Sequence, residues 1–115
     1  ALADYNHALE LRPDHPDTLN NRGITLGHLK RYEEALADCN RALQLRPDDP
    51  NTLYNRACLF SLMGRRDESL HDLGQAISGD EKYRAMARED EDFEALRNDP
   101  EWGPKFWDIV GREDE

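Results

Sequence analysis

The sequence predicts an all-α fold in which antiparallel helix pairs stack into a solenoid that ends in a helical C-terminal cap. Residues 1–23 and residues 35–57 are identical at 16 of 23 positions, so the chain contains a 34-residue repeat. Within each copy, apolar and small residues recur at spacings of three and four, which is the pattern of a helix buried on one face. An Arg-Pro-Asp stop and a second helical pattern follow, so the repeating unit is a helical hairpin.

The start and stop signals along the chain predict where each helix begins and ends. The chain begins in the second half of a unit, and we expect an upstream helix that packs on Leu2, Tyr5 and Leu9. His15 or Asp14 caps the next helix, whose first turn tolerates a proline because that N–H needs no partner. Gly64 ends a later helix, because glycine adopts the left-handed conformation at little cost. The predicted helices are Pro16 to Leu29, Tyr32 to Leu45, Pro50 to Met63 and Glu68 to Ser78.

The repeat fades after Gly79, as expected where a terminal unit must present a polar outer face. Lys82 to Glu89 is predicted to form a helix, a short helix carries Phe93 and Leu96, and another starts after Asp99-Pro100. The expected organisation is a repeat array at 1–79, a helical cap at 80–110 and a frayed acidic tail at 111–115. The last helix carries the apolar residues Trp102, Phe106, Trp107, Ile109 and Val110.

The repeat resembles the tetratricopeptide repeat, whose period is also 34 residues. In the complete copy the signature positions hold Leu19, Gly23, Leu26, Ala35, Cys39 and Pro47. Arg22 departs from the signature, which has leucine there. The resemblance implies a right-handed superhelical solenoid, a non-catalytic scaffold, and a concave groove that binds extended peptides. The run AREDEDFEALRNDPEW resembles the capping tail of bacterial members of the family.

Composition narrows the partner class. The chain has 25 acidic and 15 basic residues and a net charge of −10, which argues against nucleic acid or an anionic membrane. No apolar run reaches the roughly 18 residues of a membrane span. We therefore expect a cytoplasmic protein whose partner is a neutral or basic protein or peptide. Two cysteines do not make a disulfide framework, and both are expected to be buried.

No catalytic constellation is present, so we expect no enzyme activity, no cofactor and no metal. The four histidines show no metal-binding spacing, and no glycine-rich phosphate loop follows a strand. The carboxylates mostly occupy solvent-facing or helix-start positions. The histidines are His7, His15, His28 and His71.

The groove residues follow from the repeat period, which pairs equivalent positions on stacked first helices. Asn21 and Asn55 are expected to form an asparagine ladder that hydrogen-bonds an extended peptide backbone. The alternative is that these amides bond a neighbouring helix or water. Asp17 and Glu89 favour a neutral or basic ligand. The complete predicted groove is Asp17, Asn20, Asn21, Ile24, His28, Asn51, Tyr54, Asn55, Cys58, Leu62 and Glu89.

The chaperone-binding subset of the family offers a contrast. Asn21 and Asn55 match its central asparagine, but its basic residues would fall on Asp17, Asn51, Ala85 or Glu89. None of these is Lys or Arg, so we expect weak binding of peptides that end in an acidic carboxylate.

Acidic and arginine positions also recur with the repeat. Asp4 and Asp38 each precede an arginine by eighteen residues, so Asp4–Arg22 and Asp38–Arg56 are predicted to pair between adjacent repeats. The alternative makes Arg22 and Arg56 ligand contacts.

Three functional classes remain. The first is a peptide-binding scaffold, and the second is an architectural end segment of a longer repeat protein or enzyme. The third is a homodimer formed through Trp102, Phe106 and Trp107, the same residues that would otherwise cap the solenoid.

Overall fold

A computed structural model describes residues 1–111, which form helices without any strand in that range. The all-α repeat prediction is confirmed. Residues 112–115 of the expected acidic tail lie outside the described residues. The helices are α1 (Leu2–Leu11), α2 (Pro16–His28), α3 (Tyr32–Leu45), α4 (Pro50–Leu62), α5 (Arg66–Gly79), α6 (Lys82–Glu89), α7 (Glu94–Arg97) and α8 (Trp102–Val110), with a 3-10 turn at Glu91–Phe93.

Two helical hairpins, α2–α3 and α4–α5, form the repeat array, and their tight turns have the same geometry. Gly64 has a φ of 76°, in the left-handed region expected for it, and Lys30 at the equivalent position of the first hairpin has a φ of 62°. A lysine in the left-handed conformation destabilises the fold by roughly 1 kcal/mol relative to a glycine. Since both turns adopt this conformation, the packing of the hairpin determines the turn geometry and a glycine is not required. Helix α5 begins at Arg66, two residues before the predicted start, and includes Gly79.

The first helices of both hairpins start in the same way. His15 caps α2, because its Nδ1 accepts a hydrogen bond from the Thr18 amide at 3.2 Å. Asp49, at the equivalent position, caps α4 through the Asn51 amide at 3.3 Å and the Thr52 hydroxyl at 2.9 Å. A proline follows each cap in the first turn, where its missing N–H leaves no bond unmade.

Small residues allow the paired helices to approach closely. Gly23 on α2 and Ala57 at the same position on α4 are both buried. A Cβ placed on Gly23 would lie 3.4 Å from the Ala35 carbonyl oxygen and 3.4 Å from the Cys39 sulfur. That is ordinary contact, as the alanine in the second hairpin illustrates. A Cβ on Gly103 would instead lie 2.5 Å from the Arg97 carbonyl oxygen.

These two glycines should therefore respond oppositely to alanine. Gly23→Ala is expected to leave stability unchanged or to raise it by up to about 1 kcal/mol, because alanine is the better helix former. Gly103→Ala should lower stability by about 1–3 kcal/mol, since a rigid carbonyl must move to admit the methyl group. Thermal denaturation of both variants measures the difference. Equal melting temperatures would contradict this packing.

The C-terminal helices cover the end of the array. Helix α8 packs on α5 and α6, and Phe106 and Val110 are completely buried against them. The rings of Phe93 and Phe106 have their centroids 5.7 Å apart, and Trp107 meets Phe106 edge-on at 5.3 Å. Trp102 and Trp107 are only partly buried, so they retain the surface that self-association would need.

Two arginines of α6 hold the end of α8 in place by binding its backbone carbonyls. Arg84 donates to the carbonyl of Ile109 at 3.0 Å, and Arg88 donates to Val110 at 3.0 Å and to Gly111 at 2.8 Å. These bonds satisfy carbonyls at the end of α8 that have no partner within the helix.

The predicted inter-repeat ion pairs are wrong in their partners. Arg22 pairs with Asp38 through two bonds of 2.7 Å, and Arg56 pairs with Asp72 through bonds of 2.6 and 2.9 Å. Both pairs join the two helices of one hairpin. They form because antiparallel helices place residues sixteen apart side by side across the turn.

The Nη1 group of each arginine also bonds the preceding repeat. Arg22 Nη1 donates to Asn6 on α1 at 3.1 Å, and Arg56 Nη1 donates to Asn40 on α3 at 3.0 Å. Asp4 is exposed and lies 3.9 Å from the N-terminal ammonium group. The arginines therefore serve the scaffold, and they lie away from the predicted groove.

Candidate functional site

A cavity of about 880 Å³ lies between α2 and α6 and has α4 as its floor. The floor is one face of α4, because its residues recur at spacings of three and four. The floor residues are Asn51, Tyr54, Asn55, Cys58, Leu59 and Leu62.

The two walls differ in chemistry. The α2 wall presents Ile24, Gly27 and His28. The opposite wall presents Tyr83 and Met86 from α6, followed by residues 90–92. Leu62 and Met86 are 41% and 46% exposed, so the cavity offers accessible apolar surface from both its floor and its wall.

Residues 90–92 are held against α4 by specific hydrogen bonds. The Tyr54 hydroxyl donates to Asp90 Oδ2 at 2.8 Å, and the Ser61 hydroxyl donates to the Asp92 carbonyl at 2.7 Å. Asp90 Oδ1 accepts from the Asp92 amide at 2.9 Å, which caps the 3-10 turn. The acidic end of the cavity is therefore built in place by contacts to the floor.

Burial shapes the protonation of this end. Burial raises the pKa of the Asp92 carboxyl, the neighbouring charges of Asp90 and Glu91 raise it further, and His28 opposes them. Burial, reinforced by Asp90 and Asp92, also raises the pKa of the Cys58 thiol, so this thiol stays protonated at neutral pH. The second thiol, Cys39, is buried as predicted, and burial raises its pKa to about 12.

A sulfur atom and two carboxylates meet at this end. Ligand atoms of Cys58, Asp90 and Asp92 all lie within 4.8 Å of one another. The Cys58 sulfur lies 3.8 Å from Asp90 Oδ2, where its S–H donates a weak hydrogen bond. A thiol must lose its proton to bind a metal, and both its burial and this bond oppose that loss. The sequence had indicated no metal ligands here, and the observed group favours a protonated thiol over a metal centre.

The cavity brings together seven of the residues predicted to line the groove. They are Ile24, His28, Asn51, Tyr54, Asn55, Cys58 and Leu62. Four others lie elsewhere. Asp17 pairs with Arg46 at 2.9 Å, Asn20 is buried, and Asn21 and Glu89 are exposed outside the cavity.

Of the two asparagines of the predicted ladder, Asn55 lines the cavity and Asn21 lies outside it. Asn55 Nδ2 donates to Asn20 Oδ1 at 2.9 Å, so the inter-repeat bond is offset by one residue from Asn21. This is the alternative in which the amide bonds a neighbouring helix. The side-chain oxygen of Asn55, Oδ1, has no hydrogen-bond partner among residues 1–111, so one acceptor remains for a ligand.

Sequence reasoning missed Asp90 and Asp92 as part of the cavity. Both lie in the stretch assigned to the cap, and Asp90 is 36 residues from the tyrosine that holds it. The available signal was the cluster of acids directly after a helix, at the point where the repeat breaks down.

Among known protein families, the tetratricopeptide repeat model matches residues 16–49. The matched range covers α2, α3 and the turn that leads to α4. A comparison with curated proteins gives no match. No helix within residues 1–111 is both long enough and apolar enough to cross a membrane.

Proposed function

Because this chain carries a tetratricopeptide repeat, which is a protein–protein interaction scaffold, we propose that it binds an extended segment of a partner protein between α2, α4 and α6. The observation that carries the proposal is the cavity of about 880 Å³, whose floor and wall leave Leu62 and Met86 accessible. Ligand sites generally combine such apolar surface with a few placed polar groups. Here the polar groups are the side-chain oxygen of Asn55, the His28 side chain and the acidic residues at 90–92.

The proposed partner segment is neutral or basic. The whole chain carries a net charge of −10, which disfavours an acidic partner at long range. Three acids, Asp90, Glu91 and Asp92, line the cavity. Lys30 and Lys82 also line it, but the acids outnumber them, and the Lys82 ammonium group lies 3.7 Å from Asp80, so part of its charge is already balanced. Acidic chaperone-type C-termini remain expected to bind weakly.

The test uses a randomised ten-residue peptide library displayed on phage and selected on the wild-type protein. Selected peptides are synthesised and titrated against Leu62→Gln. We expect about a fivefold loss of affinity, roughly 1 kcal/mol, because half-buried apolar surface on the groove floor is replaced by an amide. Isothermal titration calorimetry measures the change.

The matched control is Leu29→Gln. Leu29 is also exposed, at 54%, but it does not line the cavity. Its replacement should leave affinity unchanged. Peptides that bind Leu62→Gln as tightly as wild type would show that the groove is not the binding surface.

A further inference from the structure

We infer that the acidic end of the groove binds a lysine or arginine side chain of the partner segment, with Asp92 as the main anionic contact. This inference rests on the proposed function of the groove. A peptide that binds in the groove would therefore need one cationic side chain at this end.

The acidic residues removed from solvent fall into two groups, which differ in whether a basic side chain pairs with them. Asp38 and Asp72 are buried and each is paired with an arginine through two hydrogen bonds. Asp90 and Asp92 are half-buried, their carboxylates lie within 4.8 Å of each other, and neither carboxylate has a Lys, Arg or His nitrogen within 4.0 Å among residues 1–111. The Arg97 guanidinium binds the backbone carbonyl of Asp90 at 2.6 Å and forms no ion pair with either side chain within that distance. Two neighbouring carboxylates removed from water repel each other unless a cation lies between or beside them.

The two carboxylates also differ in what they already bind. Both oxygens of Asp90 accept hydrogen bonds, one from Tyr54 and one from the Asp92 amide. The Asp92 backbone carbonyl accepts a hydrogen bond from Ser61, and no N–H or O–H group of residues 1–111 donates to the Asp92 carboxylate. Asp92 is thus held in position with its charge available, which is the arrangement a preorganised cation site requires.

The pKa of the Asp92 carboxyl is raised because its ionised form is unfavourable in the protein without a ligand. Burial and the charges of Asp90 and Glu91 disfavour the ionised form of the carboxyl and raise its pKa, while His28 and the Cys58 thiol oppose them. A bound cation would remove that penalty. The aliphatic stem of lysine or arginine needs apolar cover, and Leu62 and Met86 line the same cavity.

The experiment repeats the phage selection on wild type, on Asp92→Asn and on Glu94→Gln. Glu94 is exposed and outside the cavity, so Glu94→Gln is a control with the same change in net charge. Peptides selected on wild type and on Glu94→Gln should be enriched in Lys and Arg, and this enrichment should disappear on Asp92→Asn. In the tightest synthetic peptide, replacing the enriched lysine with norleucine, or the enriched arginine with citrulline, should weaken binding to wild type about tenfold. The same replacement should leave binding to Asp92→Asn nearly unchanged.

The readouts separate this inference from the proposed function. Peptides that depend on Leu62 but show no enrichment in Lys or Arg would overturn the cation site and leave the groove intact. Affinity lost on acetylation of the peptide N-terminus, and not on replacement of the basic side chain, would also overturn it. If no peptide depends on Leu62, both proposals fall.

A stability measurement excludes a purely structural role for Asp92. Since its carboxyl pKa is raised on folding, the ionised group destabilises the fold at pH values above that pKa. Asp92→Asn should therefore melt at the wild-type temperature or above it, while losing the preference for a basic peptide. A lower melting temperature together with an unchanged preference would assign Asp92 to the scaffold.

Discussion

Asp72→Ala is expected to lower the free energy of unfolding by about 3–5 kcal/mol, because it leaves the Arg56 charge without its partner inside the second hairpin. The Asp72 side chain is only 2% exposed and accepts two bonds from Arg56, at 2.6 and 2.9 Å. A quarter of the Arg56 side chain is exposed, so it is poorly placed to recover its hydration. Urea denaturation followed by circular dichroism measures the loss.

The repeat supplies matched controls at the same position. Asp38→Ala removes the two equivalent bonds of the first hairpin and should be nearly as damaging, because the Asp38 side chain is 7% exposed. Asp4→Ala should change stability by less than about 0.5 kcal/mol, since the Asp4 side chain is 94% exposed and its partner within residues 1–111 is the N-terminal ammonium group. A loss at Asp4 as large as that at Asp72 would contradict pairing within the hairpin.

Phe106→Ala should have a comparable effect, a loss of about 3–5 kcal/mol, because it empties a completely buried site. The ring lies 5.7 Å from Phe93 and 5.3 Å from Trp107, in the same apolar cluster as Leu73 and Ile77 of α5. Its removal opens a cavity between the cap and the repeat array. Thermal denaturation should show the loss together with reduced helicity.

Size-exclusion chromatography distinguishes capping from self-association. If α8 caps the solenoid, Phe106→Ala and deletion of residues 99–115 should both destabilise the chain at every concentration. A dimer that becomes a well-folded monomer after either change would support association through the aromatic residues instead. Leu29→Ala, a change at a residue 54% exposed, should leave both stability and size unchanged.

Local sequence signals predicted the helices well, because each depends on residues close together in the chain. The cap at His15, the helix starts at Pro16 and Pro50 and the left-handed turn at Gly64 all appear where the pattern places them. The weaker predictions fall where the repeat fades. There, α6 is only eight residues long and the chain turns at Asp90 into a short 3-10 segment.

The candidate site was predicted in part for the same reason. The repeat period identifies which residues of α2 and α4 are equivalent, and this places Ile24, His28, Asn55 and Leu62 on one concave surface. It does not identify which side chains bond across helices. Asn55 bonds Asn20, the residue before its repeat equivalent, and Arg22 bonds Asp38 instead of Asp4.

By itself, therefore, the sequence determined the repeat unit, its helices and the helical face that lines the groove, since periodicity and capping act over a few residues. Only the tertiary structure decided the arginine partners, the bond from Tyr54 to Asp90 and the burial of Phe106. Those contacts depend on how far each helix is rotated about its axis and how closely its neighbour approaches. One residue of helix turns a side chain by about 100°, so a small difference in packing selects a different partner.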